Sequence, residues 1–75
     1  MPHIDIQCYP KNLTEQEQDT FVRELTALVE KHLKATASDL SVAYQEIAPE
    51  DWQGLYDREI GPQLDTLMKK PGYRM

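Results

Sequence analysis

The chain opens Met1-Pro2. Initiator methionine is removed when the next residue is small, and proline qualifies. Removal leaves a prolyl secondary amine, a group that no other residue offers. An ordinary α-amino group titrates at about 7.7–8.0, and a prolyl amine is more basic. An apolar pocket disfavours the charged form and lowers the pKa. The amine then serves as a general base near neutral pH, where proton transfer is most efficient. The dipeptide by itself decides nothing, since proline also occurs at position 2 without any such role.

Other reactive groups are few. There is one cysteine, Cys8, and there are two histidines, His3 and His32. A single cysteine excludes an intramolecular disulfide, and the three residues make a poor metal set. His3 adjoins the candidate base, as a proton relay or, more simply, as a half-exposed strand residue. Cys8 reads as a small buried hydrophobe. Glu50 and Asp51 could activate a water, but a role at a helix start explains them as well.

The elements that must position these groups are legible. In residues 3–9, Ile4, Ile6 and Cys8 fall on one face and His3, Asp5, Gln7 and Tyr9 on the other. Such alternation predicts a half-buried strand, and Pro10 ends it. Thr14 and Glu17 have the spacing of a capping box. Behind them Phe21, Val22, Leu25, Leu28, Val29 and Leu33 recur at helical spacing, which predicts an amphipathic helix over 15–34. Residues 35–38 connect it to a second strand over 39–47, with Leu40, Val42 and Tyr44 on one face. Strand, long helix, strand is a β-α-β unit with parallel strands and a right-handed crossover. Tyr9 could line a cavity, whereas Tyr44 suits a core or a dimer interface.

After Ala48-Pro49 the spacing turns helical again, from Trp52 through Leu55, Tyr56, Ile60, Leu64, Leu67 and Met68. Gly61-Pro62 interrupts it. Either one helix kinks there or two helices form, at about 50–58 and 62–70; the second is favoured, because proline disfavours helical geometry in the residue before it. Lys69-Lys70 reads as a solvated helix end, and Tyr73-Arg74-Met75 as a loose tail.

The chain has 75 residues, of which 40% are apolar, and reads as a single domain over 1–75. Small chains bury a small share of their surface. A two-stranded parallel sheet under one helix leaves one face and both edges uncovered. A second copy, joined into a four-stranded sheet, is the physical remedy. The expected class is therefore α/β (α+β), a β-α-β unit plus C-terminal helices, dimerising. The formal net charge of −5 argues against nucleic-acid or anionic-membrane partners. No stretch reaches the roughly 20 apolar residues of a membrane helix, and no signal peptide opens the chain. A cytoplasmic protein is the expectation.

The order N-terminal proline, short strand, capped helix, second strand and an aromatic near residue 50 resembles the 4-oxalocrotonate tautomerase family. The resemblance covers residues 2–52, and Phe21-Val22-Arg23-Glu24-Leu25 is similar to the family's central helix segment. Pro49-Glu50-Asp51-Trp52-Gln53 and Lys69-Lys70-Pro71-Gly72-Tyr73 are similar to one branch of that family. The resemblance implies a homodimeric isomerase acting on a small 2-oxo or enol acid, with Pro2 as general base and acid. It implies no metal and no organic cofactor. Trp52 carries over onto the family's active-site aromatic, usually a phenylalanine. The founding members hold a dicarboxylate with two arginines. Leu13 or Asn12 stands at the first of these positions, with Lys11 as a nearby cation, and Ser41 stands at the second. A hydroxyl cannot form a bidentate charged clamp, so a monocarboxylate such as phenylpyruvate enol is the expected substrate. Substrate-binding roles therefore fall to Trp52, Lys11 and Ser41. Two other readings are a hydratase or dehalogenase on the same scaffold, and a non-catalytic dimeric interaction module in which Pro2 is incidental.

Overall fold

The computed structural model describes Met1–Met75. The first alternating stretch forms β1, His3–Cys8, and the second forms β2, Ser41–Glu46. They pair in parallel, with His3 opposite Ser41 and Cys8 opposite Glu46. In this register Ile4 lies beside Val42 and Ile6 beside Tyr44. The apolar faces read from the two strands therefore join into one. The opposite face is polar, and there the Gln45 amide donates to Asp5 Oδ1 at 3.2 Å.

Between the strands runs α1, Glu15–Leu33. The Glu17 N–H donates to Thr14 Oγ1 at 3.1 Å, and the Thr14 N–H donates to Glu17 Oε1 at 2.9 Å. Both halves of the capping box are thus made. The two bonds from Thr14, backbone first and side chain second, hold the Glu17 carboxyl below its ordinary range. The helix stops one residue short of the expected end because Lys34 turns left-handed, with φ of 54°. Strand 2 also starts later than its pattern indicates. Ala37–Asp39 forms a 3₁₀ turn instead, in which the Asp39 N–H reaches the Thr36 carbonyl at 3.0 Å.

The C-terminal region differs from the two-helix expectation. One helical run covers residues 49–66. It opens with a 3₁₀ turn at Pro49–Asp51 and an α turn at Trp52–Leu55. A π turn at Tyr56–Ile60 follows, then 3₁₀ turns through Gly61–Thr66. The widened turn is how the run survives Pro62. A proline in an α-helix removes one donor and crowds the carbonyl four residues back. Here the Gly61 N–H reaches back five residues to the Tyr56 carbonyl. Gly61 also permits the close approach, because a Cβ there would lie 3.3 Å from the Tyr56 ring. The run ends at Thr66, so Lys69-Lys70 lies in irregular chain beyond it.

The core is thin, as the length implies: only Val29, Leu55 and Tyr56 are buried, and each keeps a few per cent of its surface exposed. Phe21 and Leu28 of α1 remain 41% and 55% exposed. An open groove of about 280 Å³ runs between α1 and β2, lined by Leu13, Phe21, Val22, Leu40, Val42 and Tyr44. No helix is long and apolar enough to cross a membrane.

Candidate active site

Pro2 stands just before β1 and is half-buried. Its carbonyl oxygen accepts the Ser41 backbone N–H at 3.2 Å. One residue along, His3 Nδ1 and Ser41 Oγ share a hydrogen bond of 2.6 Å across the sheet. Both side chains are solvent-accessible. Pro2, His3 and Ser41 thus form one cluster at the N-terminal edge of the sheet. It offers a hydroxyl and an imidazole beside the residue that would carry the amine. The parallel register produces this, because it brings the starts of both strands together.

Trp52 stands elsewhere. Its ring meets that of Tyr9 edge-on, with centroids 5.4 Å apart and planes at 89°. Its indole N–H donates to the Tyr73 hydroxyl at 3.1 Å. Tyr73 in turn packs on Tyr56, with centroids 6.0 Å apart. The tail expected to be loose is therefore folded back onto the helical run. Gln7, Cys8, Tyr9, Trp52, Tyr73 and Met75 line an open cup of about 490 Å³. Tyr9 follows β1 whereas Pro2 precedes it, so at the strand rise the two lie roughly 20 Å apart. Within one chain, Trp52 is not above Pro2.

Lys11 shares the Trp52 end of β1. Its backbone N–H donates to Glu46 Oε2 at 3.1 Å, and its side chain is exposed. The same carboxylate accepts the Tyr44 hydroxyl at 3.0 Å, while the Cys8 thiol lies 3.5 Å from that hydroxyl. Contact with Cys8 first, then desolvation and Glu46, raises the Tyr44 pKa above its ordinary value. Cys8, expected to be buried, is half-buried. Glu50 and Asp51 line a separate polar cleft with Gln7, Gln45, Arg58 and Glu59. No group of three or more His, Cys, Asp and Glu side chains is gathered to hold a metal ion.

The four site residues read from the sequence thus fall into two groups at opposite ends of β1: Pro2 with Ser41, and Trp52 with Lys11. Tyr73 was not among them. Its signal was its place in the Lys69-Lys70-Pro71-Gly72-Tyr73 stretch, which resembles one branch of the family but carries no site role.

A β-α-β unit with a proline just before its first strand agrees with the tautomerase resemblance read from the sequence. The family profile described as Tautomerase enzyme matches residues 2–58. The chain belongs to the tautomerase family. Tautomerase PptA of Escherichia coli strain SMS-3-5 / SECEC is 48% identical over 75 residues, spanning the whole of both chains. Tautomerase PptA of E. coli O157:H7 is 47% identical over the same full span. That of E. coli strain K12 / DH10B is 47% identical, covering all of this chain and 97% of the relative.

Proposed function

We propose that this chain is a cofactor-independent tautomerase interconverting enol and keto forms of 2-oxo acids, with the Pro2 amine as the proton carrier. The observation that carries this reading is the family match beginning at Pro2, on a proline anchored at the start of β1. With Met1 attached, the Pro2 nitrogen is an amide with no lone pair to offer. Met1 is fully exposed, which leaves it open to removal.

Ketonisation shifts one proton and one electron pair. The amine takes the proton from the enol hydroxyl, and the carbonyl forms as the carbon–carbon double bond opens. The ammonium then returns a proton to the adjacent carbon, which restores the base. The Ser41 N–H bond to the Pro2 carbonyl ties to the sheet the residue that bears the amine. The Ser41 hydroxyl and the His3 ring stand ready as hydrogen-bonding partners for a carboxylate or a forming carbonyl.

The functional unit is a homodimer with its strands joined in one four-stranded sheet. Two-fold symmetry makes like strands antiparallel, and a two-fold interface uses the same patch on both subunits. Pairing β1 with the partner's β1 brings each Pro2 beside the other chain's aromatic cup. Trp52 then supplies an apolar wall to the partner's amine and lowers its pKa. Lys11 arrives with it as a mobile point charge. Ser41 and Leu13 in place of two arginines favour a monocarboxylate of the phenylpyruvate enol type over a dicarboxylate.

The test is a ketonisation assay on phenylpyruvate enol with mature protein, checked for Met1 loss by intact mass, and with Pro2→Ala as control. Turnover lost in Pro2→Ala is the expected outcome. Equal rates in the two proteins would end the reading.

A further inference from the structure

Tyr73 is the one residue bonded to Trp52 that comes from outside the segments aligned with the family's active site. Its hydroxyl accepts the indole N–H at 3.1 Å, while its own ring rests edge-on against buried Tyr56. On the other side Trp52 meets Tyr9 at 89°. Two ring contacts and the hydrogen bond between them therefore run in series from Tyr9 through Trp52 and Tyr73 to Tyr56. The first three of those rings also line the cup, with Cys8 and Met75 as its remaining apolar wall. An indole is an amphipathic plate with a single donor. Tying that donor to one acceptor selects one orientation of the plate.

We propose that Tyr73 is a positioning residue that sets substrate choice, by holding the Trp52 indole upright so that the cup accepts a flat aromatic tail. The proposal deepens the isomerase reading and rests on it for the identity of the ligand. Its physical basis is pre-organisation. A wall already held in its binding orientation loses less freedom when a ligand arrives. The ligand chemistry that fits is an aryl group joined to one carboxylate. Apolar surface lies in the cup, and the carboxylate points out towards the polar cluster beside the partner's Pro2.

Tyr73→Phe removes the acceptor and keeps the ring that packs on Tyr56, and Trp52→Phe removes the donor. Cinnamate is the probe, and its affinity is read by calorimetry in wild type, both single variants and the double variant. The expected result is a loss of about three- to tenfold for Tyr73→Phe, the worth of one hydrogen bond. That loss should vanish in the Trp52→Phe background, where no N–H remains to be held. Trp52 is the sole tryptophan, so its emission should also move in Tyr73→Phe. On phenylpyruvate enol the change should fall in KM rather than kcat. Unchanged cinnamate affinity, or the same loss in the Trp52→Phe background, overturns the proposal. Weaker cinnamate binding by Tyr73→Phe alongside a wild type that turns over no enol upholds Tyr73's role and overturns only the isomerase reading.

Discussion

The backbone N–H of Ser41 donates to the carbonyl oxygen of Pro2 across 3.2 Å. The start of β2 therefore sets the posture of the residue that opens β1. This bond does not depend on the Ser41 side chain, and that side chain is exposed. Substitution at position 41 can thus alter what the site binds without releasing Pro2.

Ser41→Arg should shift preference towards two carboxylates. A hydrogen bond to a charged group is worth about 1.5–3 kcal/mol, and about 1.4 kcal/mol is tenfold in rate. The ratio of kcat/KM for 2-hydroxymuconate to that for phenylpyruvate enol should therefore rise at least roughly tenfold. The comparison is steady-state kinetics on both substrates with wild type and variant. An unmoved ratio would mean that position 41 does not face the substrate.

Trp52→Ala should raise the pKa on the free-enzyme limb of the pH–rate profile. Removing the apolar wall lets water stabilise the prolyl cation, so less free base is present at neutral pH. A kcat/KM profile from pH 5 to 9 reads this directly. If the limb stays in place, Trp52 belongs to packing and not to the amine's environment.

Mixing Pro2→Ala with Trp52→Ala should raise activity above the sum of the two variants assayed apart. Each hybrid dimer contains one site with an intact Pro2 from one chain and an intact Trp52 from the other. With random exchange between two-fold dimers, half the dimers are hybrids, and recovery should reach about a quarter of wild type. Absence of any recovery after exchange would show that each site is built from a single chain.

The strands were legible because alternation survives in both, and the register then matches Ile4 with Val42 and Ile6 with Tyr44. The start of α1 was legible because Thr14 and Glu17 carry their geometry in their spacing. Gly61-Pro62 misled, since a local rule about proline cannot anticipate a widened turn that absorbs it. Pro2 and Ser41 came out as neighbours because the parallel register brings the two strand starts together. The separation of Trp52 from Pro2 was not legible. Motif order carries no information on which end of a strand a later segment returns to. The contacts of Tyr73 were not legible, because its partners, Trp52 and Tyr56, lie 21 and 17 residues back along the chain.

The chain should run as a dimer in light scattering, at twice its 8.7 kDa mass. Its melting temperature should climb with protein concentration, because association stabilises by mass action. A stable monomer at micromolar concentration would remove the sheet-pairing scheme.

Acid should weaken α1 through Glu17. Its folded-state pKa lies below its ordinary 4.5, owing to the bonds from Thr14. A depressed folded pKa adds stability above the unfolded value and loses it as pH falls through the folded one. Glu17→Gln should therefore melt lower than wild type at pH 7, and the gap should close as pH drops below about 4. Thermal melts of both proteins across pH 3–7 measure it. A gap that stays constant across that range would assign the effect to something other than the carboxylate.

The π turn at Tyr56–Ile60 has a consequence for how the chain can change length. Closing a ring five residues back instead of four amounts to carrying one residue more than an α turn needs. Deleting a single residue there would let α geometry return with the downstream chain pointing much as before, but it would set the Pro62 ring against the carbonyl four residues back. That clash would strain the run just where it leads into the segment that carries Tyr73 back to the indole. The spare residue and Pro62 thus form one unit, and neither can be removed without the other having to answer for it.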